Sequence, residues 1–177
     1  MPALIRSLAA SLFLLCLKVS VGLWTHSLSL LAEAVHSLLD ILSIGFGMWA
    51  IGKRQEKMTL LAEACILAVG VVWVIFELNQ GQAHTITATW PGILVSAISI
   101  ITYTVTFKEN HKEHQHSEAV LANLYHLASD IGASVVVLFG LVFVQATGLA
   151  IFDTVSTYII AIWLVYLIIL LLRKAFS

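Results

Sequence analysis

The 177-residue chain lacks most of what a water-exposed surface requires. Only 11% of its residues are charged while 60% are hydrophobic, so a soluble fold of this size could not hide its apolar side chains. The nine Lys and Arg are balanced by ten Asp and Glu, for a formal net charge of −1. There is no basic stripe to meet phosphates, which excludes nucleic acid as a partner. The two cysteines, Cys16 and Cys65, both lie within apolar runs and are too few for a disulfide framework. The first apolar run has no small-residue cleavage site and is followed by further runs, so it reads as a retained helix and not a signal peptide.

What the chain does have is apolar runs long enough to cross a bilayer. Six spans are expected, at about 3–23, 27–52, 58–78, 91–107, 118–144 and 154–172. They leave five short connections, two short ends and no room for a soluble domain. Each span must satisfy its own backbone polar groups in lipid, so the fold class is an all-α membrane protein. Eight of the nine basic residues fall on one side of these spans: Arg6, Lys53, Arg54, Lys57, Lys108, Lys112, Arg173 and Lys174. The positive-inside rule makes that side cytoplasmic and puts both termini there. Trp24 and Trp90 then stand at the outer edges, as interfacial anchors. The expected location is a multi-pass position in the cell (inner) membrane.

Against this background the polar residues inside the spans stand out, because ionisable groups there are costly and mark functional sites. Leu31-Ala32-Glu33-Ala34-Val35-His36-Ser37-Leu38-Leu39-Asp40 is matched by Leu121-Ala122-Asn123-Leu124-Tyr125-His126-Leu127-Ala128-Ser129-Asp130. Both decapeptides read L-A-x-x-x-H-x-x-x-D, and a spacing of four stacks His and Asp on one helical face. At about 1.5 Å per residue, His36 and Asp40 lie roughly 14 and 20 Å from the outer end of span two. His126 and Asp130 lie roughly 12 and 18 Å from the inner end of span five. The two helices run in opposite directions, so all four side chains fall near the midplane and meet if these spans are neighbours. Matching segments on opposed helices also suggest an inverted repeat, an arrangement that places transporter sites at the midplane. Two imidazoles and two carboxylates form a donor set suited to tetrahedral Zn²⁺. Glu33 and Asn123 hold the same place, one turn before each His. They can orient a ligand, line the ion's path or simply pack between helices.

These residues resemble the cation diffusion facilitator family of zinc transporters. The specific part of the likeness is the run Ser27 to Asp40 together with His126 and Asp130. The resemblance implies that His36, Asp40, His126 and Asp130 form a transport site for Zn²⁺, or for a related ion such as Cd²⁺, moved out of the cytoplasm in exchange for protons. It implies no enzymatic activity and no organic cofactor; the metal is cargo. It also implies a homodimer. Family members usually carry a cytoplasmic metal-binding domain after span six, whereas only Ala175, Phe176 and Ser177 follow the last basic pair here. The expected dimer therefore forms through the spans. His111, His114 and His116 stand where relatives often have a His-rich loop, which would collect metal for the entrance or serve only as a solvated loop. Lys18 is expected to reach the outer interface or to pair with an acid such as Glu77. Asp153 is expected to cap span six, and Glu63 is either an entrance residue or a snorkelling charge. Two other classes fit less well. A haem protein with His36 and His126 as axial ligands would set carboxylates beside an apolar macrocycle. An intramembrane hydrolase would need an open metal position, and an acyltransferase would want His and Asp five apart.

Overall fold

The computed structural model describes residues 2–50, 56–79, 86, 88–113 and 118–176. Six helices occupy them: α1 (Pro2–Thr25), α2 (Leu28–Ala50), α3 (Glu56–Asn79), α4 (Trp90–Glu113), α5 (Glu118–Thr147) and α6 (Ile151–Phe176). Among the described residues there are no strands. α1, α4, α5 and α6 each contain an apolar stretch of 21 to 23 residues, long enough to cross a membrane. In α2 and α3 the described apolar stretches are Leu28–Leu38 and Ala64–Asn79. The six helices overlap the six expected segments, with small differences at their ends. The largest is in α4, which continues through the charged segment Lys108–Glu113. That extension docks on the start of α1, where Arg6 Nε lies 3.6 Å from Glu109 Oε2 and Asn110 Nδ2 donates to Ser7 Oγ at 2.7 Å.

α1 and α2 form a tight hairpin. His26 closes α1 in the left-handed region (φ 56°), and Ser27 N–H reaches back to Gly22 C=O at 3.2 Å. This is the 6→1 bond of a Schellman motif, which satisfies an otherwise orphaned carbonyl. Ser27 also begins the next helix, its hydroxyl accepting from Leu30 N–H at 3.3 Å as an N-cap. Gly22 lets the two helices close up here, since a Cβ on it would stand 2.8 Å from Leu31 Cδ2.

α1, α2, α4 and α5 form a four-helix group, with α4 most closely packed along α5, and α3 pairs with α6 against the α2/α5 side. Leu30, Leu67, Val71, Val95, Val137, Leu141, Ile160 and Leu164 fill the seam between the two groups. A smaller cluster of Leu14, Tyr103 and Leu127 ties α1 to α4 and α5. The outward faces are apolar: Val69 is 71% exposed and Ile162 70%, while Lys18, Glu33, His36 and Asp130 are buried. In water that distribution would be unfavourable; in lipid it places apolar side chains against acyl chains and charges against protein. The chain is a multi-pass membrane protein.

Candidate functional site

α2 and α5 run antiparallel with a register fixed by polar contacts. Ser134 Oγ donates to Glu33 Oε1 in a close hydrogen bond. One turn further along α2, and one turn earlier on α5, His36 Nε2 lies 3.1 Å from Ser129 Oγ and 3.8 Å from Asp130 Oδ1. His36 and Asp130 are each 1% exposed. Two residues 94 positions apart, one from each decapeptide, thus meet in the bundle interior. His126 lies on α5 one turn before Asp130. It is half-buried and lines an open groove of about 1,090 Å³ between α5 and α6, with Ser129, Gly132, Trp163 and Leu170 among its other walls.

Asp40 and Asn123 lie within α2 and α5, but their side chains fall outside those described. Among the described residues no group of three His, Cys, Asp or Glu side chains gathers closely enough to hold a metal ion. What is brought together is the pair His36 and Asp130. His111 lies in the last turn of α4, exposed and stacked on Phe107 (ring centroids 6.1 Å apart), and is helical where a loop was expected. His114 and His116 lie outside the described residues, as does the side chain of Glu63.

Lys18 corrects the sequence reading. It reaches neither the outer interface nor Glu77, which lines a small pocket with His26 at the outer end of the bundle. Instead its ammonium is fully buried 2.8 Å from Glu33 Oε1. It also donates to Ser37 Oγ at 2.9 Å and Tyr103 OH at 3.5 Å, and lies 4.9 Å from the centre of the Tyr103 ring. A lysine has three N–H donors, and each has an acceptor here. The physical reason is depth. Lys18 is seven residues before the end of α1 and Glu33 is five residues into α2, so the hairpin sets them level, whereas Glu77 is two residues from the end of α3. An ammonium buried at that level needs an acid beside it. The network spans α1, α2, α4 and α5 and begins one helical turn from His36.

Asp153 is the second correction. It does not cap α6, of which it is the third residue. Its carboxylate crosses to the start of α2, accepting from Leu28 N–H at 3.0 Å, Ser29 N–H at 3.4 Å, Ser27 Oγ at 2.7 Å and, more closely, from Ser29 Oγ. With Ser27 on Leu30 N–H, the first three amides of α2 are all satisfied, and a negative charge sits at the positive end of the helix dipole. Sequence reading missed these cross-helix pairings, together with Tyr103 and Trp163; Ser134 lies beside the His126 and Asp130 stripe in the sequence, but its bond to Glu33 was not foreseen. The usable signal was a buried charge with no partner in its own helix.

In a bundle of antiparallel apolar helices, a His–Asp contact and a buried Lys–Glu pair at mid-depth mark a candidate functional site. Residues 4–177 match the cation efflux transmembrane domain, and the chain belongs to that family, whose members are transporters and not enzymes. An uncharacterized transporter, MJ0449, of Methanocaldococcus jannaschii is 22% identical over 177 residues, covering 90% of this chain and 62% of the relative. The cation-efflux pump FieF of Pectobacterium atrosepticum is 28% identical over 147 residues, covering 73% of this chain and 49% of the pump. The chain therefore spans about half to three-fifths of the length of these curated relatives.

Proposed function

We propose that the chain is the translocation unit of a divalent-cation efflux transporter of the cell (inner) membrane. It carries Zn²⁺, and also Cd²⁺, out of the cytoplasm in exchange for protons. The transport site is His36 and Asp40 on α2 with His126 and Asp130 on α5. The observation that carries this reading is the buried approach of His36 to Asp130 across two antiparallel helices, at 3.8 Å. Metal–ligand bonds of about 2.0–2.2 Å allow one ion to bridge two atoms that far apart. His126 stands one turn from Asp130 on the same helix and lines the α5/α6 groove.

The chemistry follows from the donors. Neutral imidazole and ionised carboxylate hold the ion while the site faces inward. When it turns outward, protons compete for the same atoms and the metal leaves. Imidazole's ordinary pKa of about 6.5 makes that competition effective near neutral pH. The family membership and the likeness to a protein named a cation-efflux pump support the direction of transport. The assembly we infer is a homodimer held through the helices, which cross-linking in mild and harsh detergents would test. Reconstituted protein in liposomes should acidify one compartment as Zn²⁺ is moved into the other. Zn²⁺ movement with no accompanying proton flux would refute the exchange, and absence of Zn²⁺ movement would refute the substrate.

A further inference from the structure

The metal-site reading uses residues of α2 and α5 only, yet α6 also reaches that site. Trp163 Nε1 donates to Ser129 Oγ at 2.8 Å, and the same hydroxyl lies 3.1 Å from His36 Nε2. The place of this indole is unusual. Trp163 is twelve residues into α6, about 18 Å along its axis, and so near mid-depth in the membrane. Membrane tryptophans are enriched instead at the two interfaces, where the N–H can meet water. At mid-depth the N–H needs a protein acceptor, and Ser129 supplies it. The Trp163 ring meanwhile forms part of the groove wall beside His126.

The donor inventory fixes the direction of the first link, while that between Ser129 and His36 follows the imidazole tautomer. An indole N–H can only donate, so Ser129 accepts from α6 and its hydroxyl is held against His36. The Nε2 atom of His36 has one site for either a hydrogen-bond partner or a metal. An ion arriving there must displace the Ser129 hydroxyl, and Trp163 loses or re-aims its contact in the same event.

We propose that Trp163 and Ser129 are positioning residues for His36, and that through them α6 responds to whether the transport site is occupied. The proposal rests on His36 being a metal ligand. In the ion-free protein the relay fixes the His36 ring in place by a hydrogen bond from a neighbouring helix. Because the Ser129 hydroxyl and an ion compete for the same Nε2 atom, loss of the relay should raise metal affinity. On binding, the same relay transmits the change to the groove wall and to the α3/α6 pair.

The test uses the whole chain in detergent, titrated with Zn²⁺ by calorimetry and by tryptophan emission in parallel. In the unaltered protein an emission change should saturate at the calorimetric stoichiometry. Trp163→Phe should abolish that change and bind more tightly, since Ser129 is no longer held against His36. Ser129→Ala should tighten binding similarly, and Ser129→Thr, which keeps a hydroxyl, should return it toward that of the unaltered protein. A packing role alone would not produce the emission signature or the reversal by threonine. If Asp130→Ala loses binding while Trp163→Phe and Ser129→Ala bind as the unaltered protein does, the relay is overturned and the site stands. If Asp130→Ala binds normally, the site reading itself fails and the relay fails with it.

Discussion

Around His36 the α2 decapeptide is closed in by charge and hydroxyl groups, while around His126 the α5 decapeptide opens on a groove. Glu33, one turn before His36, is locked to Lys18 and Ser134, and Ser37, one residue after His36, is tied to Lys18 and Tyr103. The start of α2 is held by Asp153 from α6. On α5 the half-buried His126 forms part of a wall whose other members are mostly Ala, Val, Ile and Leu. Identical spacing has produced a fixed half and an accessible half. The spacing sets which residues share a helical face, and the neighbouring helices decide whether that face is locked or open. The division leaves one half held still among polar partners and the other beside a mostly apolar groove.

The largest expected effect comes from unlocking the fixed half. Lys18→Met leaves the Glu33 carboxylate buried without its cation, and breaking such a pair from one side costs about 3–5 kcal/mol. The folded protein should lose most of its thermal stability margin in a detergent melt. Lys18→Met combined with Glu33→Gln should recover much of that loss, because no unpaired charge remains. Equal destabilisation in the single and double variants would show that the pair is not what closes this half.

A second way to sharpen the contrast is to make both halves carboxylate-only. Replacing His36 and His126 by Asp keeps four candidate ligands but makes the site harder and more negative. Affinity should fall for Zn²⁺ and Cd²⁺ and rise for Mn²⁺. Calorimetric titration with the three metals measures this, and an unchanged order of preference would remove the histidines from the selective set. Asp153→Ala has a smaller effect, removing the cross-helix cap of α2 at about 1–2 kcal/mol, read as a lowered melting temperature. The smallest belongs to His111→Ala. That side chain is exposed at the end of α4, so stability should stay within about 0.5 kcal/mol and only the initial rate of Zn²⁺ uptake should fall.

Much of this was legible in the sequence. Six helices followed from the lengths of the apolar runs, and the approach of His36 to Asp130 fits their similar depth on opposed helices. What was not legible was which buried groups satisfy one another. Helical periodicity reports the face a residue occupies, not the helix that packs against it. Lys18 shows where the reading could have gone further, because counting from the hairpin already puts it level with Glu33. Asp153 shows where it could not: a carboxylate in the first turn of α6 fits its own helix N-terminus equally well. Only the packing of α6 beside the start of α2 decides between them. Trp163 carried no signal at all, since an aromatic residue in an apolar span is ordinary until its N–H is seen to have a partner.

The central claim is that the two halves make one site. Zn²⁺ titration calorimetry on the unaltered chain, Asp40→Ala, Asp130→Ala and the double variant tests it most directly. If the halves share an ion, each single change should lower affinity by more than the roughly 10–100-fold expected for an outer partner. The double change should then add little, because the ligands act as a unit. Near-native affinity and stoichiometry in either single variant, or two losses that simply add, would mean that α2 and α5 do not hold the same ion.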